Sequence, residues 1–228
     1  MKFSYNWLRE LVSGLDTTPQ DLERHITIKT AECEGVEAIG APLEQASEAR
    51  VLSAEPVGSG HNQKVVVETA RYGTKTVICG APNCRPGLRT AYLPLGKKVI
   101  DGVESDGMLA SAKELGLGGD HGGIIELTEA LALTPDFVIE VDNKSLTHRP
   151  DLWGHYGMAR EVAAILGKKL LDPVPPDELP RGAAAIEVVI DDYTLCPRYS
   201  ALVFENVTVQ PSPLWLQYRL QEIGRAHV

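Results

Sequence analysis

The chain has 228 residues, of which 43% are hydrophobic and 23% are charged, and its formal net charge is -9. This composition is typical of a globular protein and excludes a disordered, collagen-like or coiled-coil chain. No apolar run approaches the roughly 20 residues of a membrane span. The first ten residues lack the apolar core of a secretory signal. The four cysteines are too few and too scattered for a disulfide scaffold, so we expect a cytoplasmic protein with no membrane partner.

Residues 1–39 are predicted to form a small α/β unit. Ser4 is a suitable N-cap for a first helix, because its side chain can accept a hydrogen bond from the first turn. Thr18 and Pro19 have the residue types of an N-cap and of the first position in a second helix. The loose alternation that follows, over 33–39, indicates a strand.

The middle of the chain is predicted to be a small β-barrel. Short segments of β-forming residues recur at roughly ten-residue spacing with turn residues between them. Five or six short strands in fewer than about a hundred residues fit an OB-type barrel better than a seven-stranded sandwich. The predicted strands are 50–54, 64–70, 75–79, 89–93, 97–100, 107–110 and 124–127.

One window of this region is basic although the chain as a whole is acidic. No acidic residue lies between Glu68 and Asp101. Two interpretations remain open, a solvated face of mixed strands and turns or a nucleic-acid surface on which Tyr72 and Tyr92 stack against bases. The cations of the window are Arg71, Lys75, Arg85, Arg89, Lys97 and Lys98.

The last third of the chain is predicted to contain a strand at 135–141 and a helix at 151–166. A proline-rich linker follows at 171–182. Strands at 186–190 and 199–209 and a helix after residue 213 come next. A strand, a loop and a helix cannot bury a core alone, so this part either begins a larger domain or packs as an edge extension.

Three other constellations have a chemical and a structural interpretation. His148, Asp151 and His155 have the residue types of a divalent-metal site, which would suit a small metal-dependent hydrolase. The structural alternative is that Asp151 caps the helix and Arg149 forms an ion pair. Cys79 and Cys84 are either redox partners or buried thiols.

The glycines between 116 and 123 either cradle a phosphate or form a tight turn. No Lys-Ser or Lys-Thr pair completes a P-loop, and no nucleophile elbow is present in the sequence. Nothing in the chain therefore requires catalysis.

Five ordered motifs resemble the β chain of bacterial phenylalanine–tRNA ligases. The sequence Ile-Cys-Gly-Ala-Pro-Asn is similar to a signature of the tRNA-binding barrel in that family. The resemblance follows the family order along essentially the whole chain. The motifs are at 78–83, 102–116, 143–151 with the helix through 159–161, 196–199, and 212–216.

The resemblance implies an α+β protein in which a small split α/β domain contains an inserted OB-type β-barrel, followed by the truncated start of a further domain. It assigns the first half of the split domain to 1–39, the barrel to 40–149, and the second half with the linker to 150–185. Residues 186–228 resemble the beginning of an editing-type domain. The family forms an α2β2 enzyme that attaches phenylalanine to tRNA using ATP and Mg²⁺, and its chemistry lies on the catalytic α chain.

The resemblance thus implies tRNA and the α chain as partners, with no catalytic residue, metal or cofactor in this chain. A purely structural assembly module without direct tRNA contact is the alternative. We expect two side chains, Asn83 and Ser111, to make local hydrogen bonds at the interface. The side chains expected to contact phosphates are Lys75, Arg85, Arg89, Lys97, Lys98 and Lys113.

Overall fold

The computed structural model describes residues 1–58, 60–174 and 186–224. It comprises two compact units, one formed by Met1–Leu171 with Ser212–Val228 and the other by Asp172–Pro211. The described residues of the first unit form eight strands: β1 (Lys2–Ser4), β2 (Cys33–Ile39), β3 (Ser47–Pro56), β4 (Gln63–Thr69), β5 (Gly73–Cys79), β6 (Arg89–Ile100), β7 (Val103–Leu109) and β8 (Asp136–Val141). Its four α-helices are α1 (Tyr5–Leu11), α2 (Pro19–Lys29), α3 (His155–Leu166) and α4 (Leu214–Glu222). The mixed α+β class is confirmed.

The first two helices begin where their capping residues predict. The Ser4 hydroxyl accepts a hydrogen bond from the Trp7 backbone N–H, and the Thr18 hydroxyl accepts one from Asp21 N–H at 3.1 Å. Proline follows Thr18 at the first helical position, where it costs no hydrogen bond. Both caps satisfy N–H groups that have no partner within the helix.

The third helix starts later than the sequence predicts. Residues 150–152 form a short 3-10 turn, and α3 begins only at His155. Gly154 is extended, with φ -163° and ψ 162°, and separates the turn from the helix. Gly157 lets the turn lie against α3, because a Cβ atom there would overlap the Asp151 carbonyl.

A three-stranded antiparallel sheet joins the two ends of this unit. The strand order is β1-β8-β2, and the last residue of β2, Ile39, lies opposite the first residue of β8, Asp136. Helices α1, α2 and α3 pack with this sheet around one core. Its fully buried members include Phe3, Leu8, Leu22, Ile26, Ile139, Leu152, Met158 and Val162. The domain boundaries at 39/40, 149/150 and 185/186 stay predictions.

The other sheet has five antiparallel strands in the order β5-β4-β3-β6-β7. The segments predicted as separate strands at 89–93 and 97–100 form one strand, β6, with a register shift between Leu93 and Lys97. The strand predicted at 124–127 is absent from the described structure. Its described backbone–backbone hydrogen bonds are single ones, from Ile125 N–H to Ala110 O and from Leu127 N–H to Arg89 O, so no ladder forms.

The two edge strands of the five-stranded sheet approach each other around a buried core. The Ile78 N–H donates to the Ser105 hydroxyl at 2.9 Å, and Lys75 forms an ion pair with Asp106 at 2.8 Å. Among the described residues, no backbone ladder joins β5 to β7. A closed barrel of the OB type therefore stays a prediction. The core between the strands includes Val51, Val65, Val67, Val77 and Tyr92.

The second unit has no regular strand within its described residues. The predicted strands at 186–190 and 199–209 are wrong there, and most of their side chains are exposed. An extended segment needs a hydrogen-bonded neighbour to become a strand, and none lies beside these segments in the described chain. Most of the proline-rich linker, 175–185, lies outside the described residues. None of the described helices is long and apolar enough to cross a membrane.

Gly40 offers a test of how α4 packs in the first unit. Its φ of +66° favours glycine, and an added Cβ would collide with the Tyr218 hydroxyl and with Leu43. We expect Gly40→Ala to lower the free energy of unfolding by about 2–4 kcal/mol, combining backbone strain with overpacking. Gly73→Ala is the matched control, because Gly73 has a φ of +68° but open space around it. Equal losses in chemical denaturation would contradict this account of Gly40.

Candidate nucleic-acid interface

Lys75 lies at the meeting of the two edge strands, where an acid neutralises it. Its ammonium group is 2.8 Å from the Asp106 carboxylate, and both side chains are about one-quarter exposed. A hydrogen bond to Glu104 is the main cause that raises the pKa of Lys97, and the negative charge of Asp106 raises it further. Lys75 and Lys97 therefore share one charged group on β5, β6 and β7.

A second charged group lies where the loop after β5 meets the segment at 124–126. The Arg85 guanidinium holds the Glu126 carboxylate with two hydrogen bonds of 2.9 and 2.7 Å. This contact and the Asn83 amide lower the pKa of Glu126 to about 2. Arg85 is more than half exposed, so solvent weakens this ion pair.

Asn83 acts as a structural bracket between the same two segments. Its side-chain amide donates to Ile124 O at 2.8 Å, and its side-chain oxygen accepts from Ile124 N–H at 3.0 Å. A third contact reaches Glu126 at 3.1 Å. The Asn83 amide thus replaces a strand partner for the segment at 124–126.

Ser111 makes local contacts, and Lys113 lies on the turn that it begins. The Ser111 hydroxyl and backbone N–H both donate to the Glu114 carboxylate, at 2.7 and 2.6 Å. This is the reciprocal pattern of a capping box, and Ser111 is buried. The Lys113 side chain has no carboxylate partner within the described chain.

Arg89 and Lys97 lie at opposite ends of β6, and each faces an acid. Arg89 contacts Glu48 at 2.9 Å, and Lys97 contacts Glu104 at 2.7 Å. Lys98, opposite Ser105 in the register, is exposed and has no carboxylate partner among residues the structure describes. The structure thus divides the predicted cations into three groups with separate acids, Lys75 with Lys97, Arg85, and Arg89. Lys98 and Lys113 lie outside all three.

A shallow groove of about 520 Å³ crosses the surface beside Arg89. Arg50 and Arg89 supply positive charge to it, and Glu48 and Glu68 supply negative charge. Arg50 was missed by the sequence analysis because it precedes the basic window. Its outward position follows from strand alternation, since Ala49 and Val51 beside it are buried.

The two tyrosines of the basic window differ in how deeply they are buried, which decides whether a base can stack on them. Tyr92 is fully buried, and its hydroxyl donates to Asp106 O at 2.9 Å, so the expectation that it stacks on bases is wrong. Tyr72 is half-buried, and its hydroxyl donates to Gln45 O at 2.9 Å. Tyr92 packs in one core cluster with Val51 and Leu109, whereas its neighbours Ala91 and Leu93 pack in a different cluster, as strand alternation predicts.

Of the three residues considered for a metal site, Asp151 and His155 have other partners and His148 is exposed. Asp151 receives hydrogen bonds from Arg149 and Arg160, which hold its pKa at about 2. The Nε2 atom of His155 accepts from Ser4 N–H at 3.0 Å, and burial lowers the pKa of this imidazole to about 4. Within the described part of the chain, no three His, Cys, Asp or Glu side chains form a group able to hold a metal ion.

Cys79 and Cys84 are free, buried thiols at the edge of the five-stranded sheet. The contact between them lowers the pKa of Cys79 to about 7 and raises the pKa of Cys84. Both side chains pack in the core with Val77 and Leu88. The structural interpretation of these cysteines accounts for their position.

The chain is similar in sequence to subunits of one ligase from several bacteria. It is 63% identical over 229 residues to the phenylalanine–tRNA ligase beta subunit of Solibacter usitatus, covering 98% of this chain and 30% of that protein. The corresponding subunit of Anaeromyxobacter dehalogenans is 39% identical over 247 residues, and that of Desulfotalea psychrophila is 34% identical over 244 residues. Each of these two alignments also covers 98% of this chain and 30% of the relative. No family model matches the chain.

These relatives define the class of the protein as a subunit of an aminoacyl-tRNA ligase. The chain belongs to the phenylalanine–tRNA ligase β-subunit family, as its sequence motifs predict. It spans about 30% of the length of the curated relatives that it matches.

The bracket formed by Asn83 predicts a local loss of order when its donor is removed. In Asn83→Asp, the oxygen that accepts from Ile124 N–H is kept, but a carboxylate then faces Ile124 O and Glu126. We expect a loss of about 1–3 kcal/mol in unfolding free energy and faster amide exchange at 124–126. The control is Asn62→Asp, because the exposed Asn62 amide reaches only the Asp101 side chain. Unchanged exchange at 124–126 would rule out the bracket.

Proposed function

We propose that this chain supplies tRNA binding and subunit assembly to the ATP-dependent attachment of phenylalanine to its tRNA. It does so as part of a β subunit that joins a catalytic α chain in an α2β2 enzyme. The 63% identity to a β subunit, over 98% of the chain, carries this proposal. ATP and Mg²⁺ serve the assembled enzyme, and no catalytic residue is assigned to this chain.

In this proposal the five-stranded sheet is a closed OB-type barrel. Its strand order and the contacts between β5 and β7 through Ser105 and Asp106 support the closure. Barrels of this type bind oligonucleotides on one strand face and its flanking loops. The barrel lies within the predicted range 40–149, between the split halves 1–39 and 150–185, and the pairing of β8 with β1 and β2 supports an insert that ends before Asp136. Residues 186–228 begin an editing-type domain.

In this proposal tRNA binding is electrostatic. Phosphates of the tRNA replace carboxylates of the protein as the partners of its lysine and arginine side chains. Lys98 and Lys113 have no carboxylate partner in the described structure, so they engage phosphates directly. Lys75, Arg85, Arg89 and Lys97 must first release their acids. The exposed pairs are weak enough for such exchange, because each contributes about 0–1 kcal/mol.

A purely structural assembly module is the second candidate function. The observation that favours it is that four of the six cations predicted to contact phosphates already face carboxylates. In this alternative, the ion pairs stabilise the barrel and tRNA makes no contact with it.

Charge reversal at the end of the β6–β7 hairpin distinguishes the two functions. We expect Lys97→Glu/Lys98→Glu to weaken tRNA binding and to reduce the slope of log K against log salt by roughly 1.4–1.8, because two phosphate contacts are lost. Filter binding over a salt series measures both quantities. The control, Lys29→Glu/Lys169→Glu, makes the same charge change at exposed positions outside the barrel. Equal behaviour of the two double variants would favour the structural module.

Removing an acid provides the opposite test. In Glu104→Gln, Lys97 loses its carboxylate partner and becomes available to a phosphate. We expect tRNA affinity to rise about two- to fivefold, which corresponds to the free energy of an exposed ion pair. Glu37→Gln, an exposed change on β2, controls for net charge. A gain no larger than that of the control would count against phosphate exchange at Lys97.

A further inference from the structure

The last described helix, α4, contacts α1 through Arg219, which also lies beside Trp215 of α4 itself. The Arg219 guanidinium lies 5.2 Å from the centre of the Trp7 ring and 5.6 Å from that of Trp215. Arg219 also forms an ion pair with Glu10 of α1. Trp7 in turn stacks on His155 at 3.9 Å between ring centres.

A buried carboxylate at the start of α1 lies close to this contact. Asp136 is 2% exposed and accepts hydrogen bonds from the Ser4 hydroxyl, from Asn6 N–H at 2.9 Å and from Phe137 N–H at 2.7 Å. The Asn6 donor belongs to the first turn of α1, where a negative charge is stabilised. These three donors favour the charged form of Asp136 and oppose the burial that raises its pKa.

Glu222, near the end of α4, brings a second buried carboxyl group to the same place. It is only 7% exposed. Ser4 has a single hydroxyl proton and donates it to Asp136, so it has none to donate to Glu222. A second negative charge beside Asp136 in this buried setting is unfavourable.

The groups around Glu222 come from each element packed against it. Asp136 lies on β8, Tyr218 and Arg219 lie on α4 itself, and Ser4 lies at the junction of β1 and α1. Burial is the largest cause that raises the pKa of Glu222, followed by the charge of Asp136, and together they bring it to about 7. Tyr218 and Arg219 act in the opposite direction without cancelling this shift.

We propose that α4 is a pH-sensitive latch, docked on the first unit when Glu222 is protonated and released when Glu222 ionises beside Asp136. Helix α4 packs against β1, whose last residue, Ser4, donates to Asp136. It therefore brings the buried Glu222 carboxyl to a site whose three described donors all serve Asp136. The contacts of Arg219 with Trp7 and Glu10 join α4 to α1 independently of Glu222, so they limit how far the release proceeds.

The direction of the pH effect follows from proton binding. The docked state binds the Glu222 proton more tightly than the released state, in which the carboxyl has its ordinary pKa of 4.5. Docking is therefore strongest below about pH 4.5, weakens as the pH rises, and levels off above about 7. Between pH 5 and pH 8, the ratio of released to docked α4 increases roughly 70-fold.

Hydrogen exchange of the peptide 214–222, measured by mass spectrometry on the full chain, tests the latch. After correction for intrinsic exchange, protection of α4 is expected to fall roughly 70-fold between pH 5 and pH 8. In Glu222→Gln, α4 is expected to stay protected across this range. Glu10→Gln is the matched control, since it removes the partner of Arg219 at the exposed side of the same contact. It should lower protection at every pH and keep the pH dependence.

Two results would overturn the latch. One is wild-type protection of α4 that does not change between pH 5 and pH 8, and the other is the same decrease in Glu222→Gln as in the wild type. If Glu222→Gln fails to fold, NMR of the wild-type chain with ¹³C-labelled glutamate decides the question. One glutamate carboxyl titrating near pH 7 supports the proposal, and the absence of any such carboxyl refutes it.

Discussion

The pairing of β8 between β1 and β2 is the constraint on which the rest of the first unit depends. It joins residues at the start of the chain to residues more than a hundred positions later, as in the pairs of Phe3 and Val36 with Ile139. Helices α1, α2 and α3 then share the core beneath this sheet. Asp136, the first residue of β8, accepts a hydrogen bond from Asn6 N–H and so stabilises the start of α1. This contact joins the sheet to the helix layer.

The electrostatic organisation of the five-stranded sheet follows from antiparallel pairing. Basic residues are grouped along the sequence, but acids from neighbouring strands and loops lie beside them in space. Lys97 contacts Glu104 across the β6–β7 hairpin, and Lys75 contacts Asp106 between the two edge strands. A basic window in a sequence therefore overstates the positive charge of the surface to which it belongs. Phosphate binding at such a surface is a competition with resident carboxylates rather than a simple attraction.

The sequence pattern predicts where the first two helices start. It does not predict structure that depends on hydrogen-bonding partners distant in the sequence. Ser4 and Thr18 cap helices through contacts three residues away, so the sequence pattern alone predicts them. The extended segment at 124–127 has a favourable composition but obtains only isolated hydrogen bonds. The carboxylates facing the cations could not be assigned, because strand register and loop path decide which acid meets which base. The family resemblance, in contrast, depends on ordered motifs and was fully readable from the sequence.

The end of β2 and the start of β8 lie opposite each other in one sheet, at Ile39 and Asp136. Residues 40–135 therefore leave the three-stranded sheet and return to it at neighbouring points, about one strand spacing apart. A segment with such closely spaced ends is portable, because its gain or loss leaves the path of the host polypeptide almost unchanged. During evolution, such a segment can be gained, exchanged or lost while the hydrophobic core of the three-stranded sheet and its helices is preserved.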